Sequence, residues 1–359
     1  VGSFSDNRAV TPPDAIRVLL PVPYLRLVAE VVGAAGLDVA AWLQRAGLDV
    51  AVLTASSDCE LSLPALQRLF AEAMRAEPAV GVLVGQRLEV QLHGALGYAA
   101  LCSGSIREAI ALLQAFIETR FSLVAITIQE TDDIIRIDIT LPKSLGEASS
   151  SILEAIVLAV KNVLDAISFG ECRVSEVAFA WAVTPYTAVT ETLFGCPVVY
   201  GAAGTGLRLP TRVLDVPLRA ADAAAFSEAR RLCERERERV DGMRTMAGRV
   251  LAILLERQQP HGFISLDVTG RLLRLTPRTL HRRLVAEGSS FRTVLDELRQ
   301  RLCEGHLRSG RLSLEEIGWT LGYTDFANFR RAFKRWHGVA PSVWRRDNVS
   351  TNVSASAGS

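Results

Sequence analysis

The chain has 359 residues, 49% hydrophobic and 22% charged, a globular composition long enough for two or three domains. That balance excludes a wholly disordered, collagen-like or small disulfide-stapled protein. The most apolar stretch, 152–169, is interrupted by Glu154, Lys161 and Asp165, so it falls short of the roughly 20 uninterrupted apolar residues of a membrane span. The net charge of +1 conceals a division: residues 1–259 hold 24 Lys and Arg against 30 Asp and Glu, and residues 260–347 hold 16 against 9. An acidic front and a basic back point to a regulatory part and a part that meets a polyanion.

In chain order, residues 1–14 are polar, carry Pro12-Pro13 and are read as a flexible N-terminus. The opening Val1-Gly2-Ser3 lacks Met and shows no basic, apolar leader, so the expected location is the cytoplasm, at the nucleoid. Helical spacing starts near Ile16 with Leu25, Val28, Val32 and Leu43. Leu63–Met74 predicts an amphipathic helix through Leu66, Leu69, Phe70 and Ala73. Ser105-x-x-Glu108 reads as a capping box opening a helix with Ile106, Ile110, Leu113 and Ile117. The period then changes to two. Val124, Ile126 and Ile128 alternate with polar or small residues, as do Ile135, Ile137, Ile139 and Leu141 after an acidic turn, which predicts a β-hairpin.

Ser151-x-x-Glu154 is read as the cap of a helix over 152–168. Val177, Phe179, Trp181 and Val183 predict a strand, followed by a short helix to Phe194, a turn at Gly195-Cys196-Pro197, and strands at Val198–Tyr200 and Leu207–Leu209. The front, 15–217, is therefore expected to be α+β, with helices on an antiparallel sheet. Residues 218–243 alternate charge sign through Arg230–Arg239, as a solvated helical linker between domains would. The tail, 348–359, is Ser/Asn-rich and read as disordered; its Asn348-Val349-Ser350 and Asn352-Val353-Ser354 triplets are taken as chance matches to the glycosylation pattern.

Residues 244–347 carry two helix–turn–helix units in an all-α domain. In the first, Leu266–Leu273 is a short helix and Thr276 caps a second that opens with Pro277. Leu280 and Leu284 point inward; Arg278, His281 and Arg282 point outward. In the second, Ser313-x-x-Glu316 caps a helix with Ile317 and Leu321 inside, Gly322 supplies the turn, and Thr324 is expected to cap a helix whose inner face is Phe329, Ala332, Phe333 and Trp336. Asn328, Arg331 and Arg335 lie on its outer face, flanked by Arg330 and Lys334. The caps recur at an offset of 48 residues, with a helix near 291–307 between them. Outward Arg, Lys and Asn suit phosphates and base edges, and two such helices about 34 Å apart would enter successive major grooves.

The run from Leu314 to Pro341, LEEIGWTLGYTDFANFRRAFKRWHGVAP, resembles the signature of AraC/XylS-type transcription regulators, as does Thr276–Leu284 with Gly288-Ser289-Ser290-Phe291. Gly94-Ala95-Leu96-Gly97-Tyr98 and Phe194-Gly195-Cys196-Pro197-Val198 resemble the arabinose-binding-type effector domain of one branch of that family. The resemblance implies a front domain that senses a small-molecule effector and pairs into a homodimer, a reader of double-stranded promoter DNA behind it, and RNA polymerase as a further partner. Carried over by position, Arg278, His281, Arg282, Phe326, Ala327, Asn328 and Arg331 are base-reading candidates. Thr276, Thr324, Arg330 and Lys334 are phosphate candidates. Two departures, Arg274 where the family's first turn usually has Gly and Gly270 where its helix usually has Ala, are expected to weaken or re-angle the first unit.

No membrane partner, cofactor, metal or catalytic residue is expected. His93, His261, His306 and His337 lack metal-ligand spacing, and Gly201–Gly206 lacks the Lys-Ser/Thr of a phosphate loop. A repair domain with a methyl-accepting Cys is the enzymatic alternative. It needs a zinc-held Cys cluster or a Cys beside His, and Cys59, Cys102, Cys172, Cys196, Cys233 and Cys303 are too scattered for either. A ligand-independent architectural DNA binder is the third reading. The effector pocket is not located. Phe179, Trp181 and Tyr98 are core aromatics before they are pocket lining, and nothing in spacing sets Tyr24, Arg107 or Arg120 apart as partners of an anionic effector.

Overall fold

The computed structural model describes residues 17–55 and 58–346; the expectations for 1–14 and for the Ser/Asn-rich segment 348–359 lie outside the described residues. The chain divides after Val240 into two compact units.

The front unit opens with a strand the periodicity did not suggest, β1 (Arg17–Leu20), paired antiparallel with β2 (Cys59–Ser62). Between them lie α1 (Val22–Ala34) and α2 (Val39–Arg45). Next come α3 (Leu63–Ala76), α4 (Val80–Arg87), α5 (Gly94–Leu101) and α6 (Ile106–Phe116). Ser105 caps α6 by accepting the Glu108 N–H, but the Glu108 carboxylate turns to the Gly104 N–H instead of closing the box.

The hairpin is β3 (Ala125–Glu130) and β4 (Ile134–Thr140), with Ile137 and Ile139 fully buried. After α7 (Ala148–Ile167) follow β5 (Glu176–Phe179), α8 (Thr187–Phe194), β6 (Val198–Tyr200) and β7 (Gly206–Pro210). The five strands run in the order β3-β4-β7-β5-β6. All pairs are antiparallel except β5 with β6. The sheet is thus largely antiparallel, as expected, with one parallel pair at its end: α8 carries the chain back between the two strands, the crossover a parallel pair needs. β5 also stops at Phe179, so Trp181 and the 70% exposed Val183 lie outside the strand expected to contain them.

The cap assigned to Ser151 is corrected as well. α7 starts at Ala148, and Ser151 and Glu154 are fully buried within it. They face α4, where a Cβ on Gly81 would fall 2.3 Å from the Ser151 carbonyl oxygen. The missing side chain lets the two helices touch along their backbones, and the Ser-x-x-Glu pattern serves packing rather than capping.

The charged segment forms α9 (Ala223–Arg244). It is no free linker over its first turns, since Ala229 and Cys233 are buried in the front unit's core. Arg237 lies over the Phe116 ring at 4.9 Å, and Arg239 pairs with Asp58 at 2.6 Å.

The back unit is all helical: α10 (Met246–Glu256), α11 (Leu266–Leu272), α12 (Pro277–Ala286), α13 (Phe291–Ser309), α14 (Leu314–Thr320) and α15 (Phe326–His337). It has two cores. Leu280 and Leu284 pack with Val250, Leu254, Val294 and Leu298; Phe329 and Phe333 pack with Ile317, Leu321, Cys303 and Leu307. α13 contributes two residues to the first and two to the second, so one helix is the spine of both.

Candidate nucleic-acid interface

α12 is set by its ends. The Thr276 hydroxyl accepts the Thr279 N–H at 3.2 Å, and Pro277 follows at the first helical position, where its missing N–H costs nothing. Leu280 and Leu284 hold the inner face, which leaves Arg278, His281 and Arg282 exposed on the outer one, with Thr276 at the tip. A signal not picked out in the sequence fixes the floor beneath: the Glu287 carboxylate accepts the Met246 and Ala247 N–H groups at 2.7 and 3.0 Å, a second cap on α10 beside Thr245.

The turn before α12 carries Arg274 at φ +55°, a left-handed conformation that strains a non-glycine residue. Gly270 proves to be an adaptation rather than a weakness. A Cβ there would sit 2.9 Å from the Leu275 carbonyl oxygen, and the Leu275 N–H closes the turn onto the Gly270 carbonyl at 2.8 Å.

In the second pair the capping box at Ser313 and Glu316 is complete in both directions, at 3.2 and 2.7 Å. Those contacts with Ser313 hold the Glu316 carboxyl below its ordinary range. The cap expected at Thr324 is instead Asp325, whose carboxylate accepts the Ala327 N–H at 2.9 Å. Asp325 adopts the extended cap conformation one residue later, so Thr324 is an exposed turn residue. α14 therefore begins 48 residues after α11, but α15 begins 49 after α12. By helix position Arg330 then corresponds to His281, Arg331 to Arg282 and Ala327 to Arg278.

Ala327, Asn328, Arg330, Arg331 and Lys334 are exposed, and an Arg331 Nη donates to Asn328 Oδ1. Phe326 is only half-buried and leans on Phe329, ring centroids 5.9 Å apart, so its main partner is the core. α13 braces the pair: Arg299 Nε donates to the Leu321 carbonyl at 2.9 Å and its guanidinium lies 4.8 Å over Tyr323, while Asp296 meets Arg335 at 3.2 Å. Neither α12 nor α15 contains an acidic residue.

Four of the cysteines are held as thiols. Burial pushes Cys59, Cys172 and Cys233 up to about 11 and Cys303 up to about 12. Among the described residues no three His, Cys, Asp or Glu side chains gather as metal ligands, and no helix is long and apolar enough to cross a membrane.

In the front unit the effector candidates part company. Phe179 stacks on Trp181 at 4.7 Å and meets Phe194 and Tyr200, a core cluster. Tyr98 is half exposed, and Arg107 is spent on the surface between Glu130 and Asp215, each at 2.7 Å. Tyr24 and Arg120 do line one cavity, together with His93, whose place there nothing in the sequence spacing signals.

Two capped, outward-cationic helix pairs on one spine, joined in the same chain to an α+β sensor-like unit, define a helix–turn–helix transcription regulator. A family model described as the arabinose-binding domain of AraC transcription regulators, N-terminal, matches residues 36–218, and a helix-turn-helix domain model matches 270–347. The chain belongs to the AraC family of transcription regulators, in the branch with the arabinose-binding-type N-terminal domain. It is 29% identical over 329 residues to the ornithine utilization regulator of Pseudomonas aeruginosa, covering 91% of this chain and 96% of that protein. It is 24% identical over 285 residues to the HTH-type transcriptional regulator VqsM of the same species, 74% of this chain and 83% of that one. The crystal structure of the transcriptional regulator CdpR from P. aeruginosa matches 75% of this chain and 87% of its own, at 27% identity and a TM-score of 0.37.

Proposed function

We propose that this regulator binds promoter DNA sequence-specifically through α12 and α15 under the control of a small-molecule effector held in the front unit. The observation that carries the reading is the pair of exposed helix faces free of acidic residues, each anchored in its own buried core and both held by α13. Arg278, His281 and Arg282 of α12, and Ala327, Asn328 and Arg331 of α15, read base edges. Phe326 is left with at most its ring edge for a thymine methyl. Thr276, Thr324 and Lys334 position the phosphates. Arg330, assigned to phosphate on sequence, shares the helix position of His281 and joins the base-facing set. Dimerisation through the front unit and contact with RNA polymerase complete the reading, on the family's pattern.

Footprinting of the purified chain on its own promoter tests it, against random duplex at physiological salt. The expected result is protection of two segments about one helical turn apart per protomer. Equal affinity for promoter and random DNA overturns sequence specificity. Arg278→Ala and Arg331→Ala should each cost about 1–3 kcal/mol and relax preference at one position only. A sedimentation measurement with and without DNA tests the dimer.

A further inference from the structure

The front unit encloses a cavity of about 120 Å³, near the ~150 Å³ that admits benzene in an engineered protein void. Its walls are apolar, with Val28, Val84, Ile110, Ile156 and Val160 among them. Only three lining residues carry polar side chains: Tyr24, His93 and Arg120. These three form one patch. Tyr24 Oη lies 2.6 Å from His93 Nδ1, and Arg120 Nη1 donates to the His93 carbonyl at 3.4 Å.

Arg120 and His93 are each 9% exposed, and Arg120 Nε has no hydrogen-bond partner. A buried guanidinium N–H left unsatisfied is costly, and a carboxylate is the group that satisfies it best. The neighbouring nitrogen on the same edge of the guanidinium is already engaged: Nη2 donates to Glu236 Oε2, on α9, at 2.8 Å. Gly94, at φ +59°, makes the passage, since a Cβ there would stand 3.0 Å from Arg120 Nη1. One arginine thus lines the cavity and holds the helix that leads into the DNA-reading unit, and its free Nε–H shares an edge with the nitrogen that Glu236 occupies.

We propose that the cavity binds a small apolar monocarboxylate, of the size of benzoate or hexanoate, whose carboxylate takes Arg120 and weakens its hold on Glu236. The proposal rests on the effector-controlled reading above and names the effector's chemistry. Two carboxylates on one guanidinium repel each other, so ligand binding and the α9 contact oppose one another, and the coupling works in both directions. The lining holds no acidic residue to receive an ammonium group, which disfavours a basic amino acid such as ornithine.

The test uses the full chain, titrated calorimetrically with benzoate and hexanoate and, in parallel, with benzyl alcohol, hexanol and ornithine. The expected result is binding of the acids, with the alcohols and ornithine at least roughly tenfold weaker, about the worth of one charged hydrogen bond. Glu236→Gln, a change on a partly exposed helix face, should tighten both acids by roughly tenfold, and the acids should shift the wild-type chain's affinity for promoter DNA. Alcohols or ornithine binding as well as the acids, no binding of either acid, or a Glu236→Gln variant with unchanged acid affinity would each overturn the proposal. A chain that binds its promoter specifically but disregards the acids overturns this inference alone; one that shows no specific DNA binding overturns the regulator reading beneath it.

Discussion

Glu154 has no exposed surface, and burial pushes its carboxyl up to about 7 from an ordinary 4.5, against the weaker pull of the Tyr186 hydroxyl and the Trp181 N–H. The folded chain keeps that proton over a range in which the unfolded chain gives it up, so stability falls as pH rises from 4.5 to 7. His93 acts in the opposite sense. Burial and the nearby Arg120 charge depress it from 6.5 to about 4, so its contribution is present above 6.5 and lost as pH falls toward 4. The two slopes oppose each other between 4.5 and 6.5. Glu154→Gln should therefore expose an acid-side loss that the wild type conceals, and above pH 7 should stabilise the front unit by up to about 3 kcal/mol. Denaturant melts at several pH values check this, and a variant whose pH profile parallels the wild type refutes it. At the second turn Gly322, at φ +81°, touches Gly262, and a Cβ would come 2.9 Å from the Gly262 Cα. Gly322→Ala should cost about 2 kcal/mol or more, while Arg274→Gly should gain about 1 kcal/mol by relieving the matching strain in the first turn. Chemical denaturation followed in the back unit reads both.

Among the elements, the caps decide how the DNA-facing helices stand. Glu287→Ala removes both carboxylate bonds at the start of α10 and should destabilise the first helix pair by about 1 kcal/mol without touching the outer face of α12; hydrogen exchange at Met246 and Ala247 would report it. Most helices were legible because their start signals are local. Thr276-Pro277 and Ser313-x-x-Glu316 need nothing beyond their own turn. The failures share one cause. Ser151-x-x-Glu154 has the same pattern as a true capping box, and only Gly81, 70 residues earlier, turns it inward. Thr324-Asp325 offers two adjacent caps, and composition cannot choose between them. Val177 to Val183 alternates beyond Phe179, but β7 begins at Gly206, opposite Ala178, and β6 ends at Tyr200, opposite Phe179, so neither ladder extends further. The outward face of the reader was legible because exposed charge at i, i+3 and i+4 is written in the helix itself. The polar patch of the cavity was not, because Tyr24, His93 and Arg120 meet only through the fold.

At the scale of the molecule, the charge division seen in the sequence falls between the front unit and the DNA-binding unit. Lys334, a phosphate candidate, and the base-facing Arg330 are both exposed. Lys334→Ala should lower the slope of log affinity against log salt by about 1 across specific and random sequences alike, whereas Arg330→Ala should weaken binding to the promoter selectively. An equal loss on promoter and random duplex for Arg330→Ala would instead place that residue on phosphate.

α13 lends Val294 and Leu298 to one reading head and Cys303 and Leu307 to the other. A helix is a stiff ruler: lengthening it by one residue would swing one head about 100° around the axis relative to the other. On the proposed function, the gap between half-sites is thus a machined dimension rather than an adjustable one. Operators whose half-sites fall out of phase with it must be accommodated by twisting or bending of the duplex, and evolution can retune which bases are read far more readily than how far apart they stand.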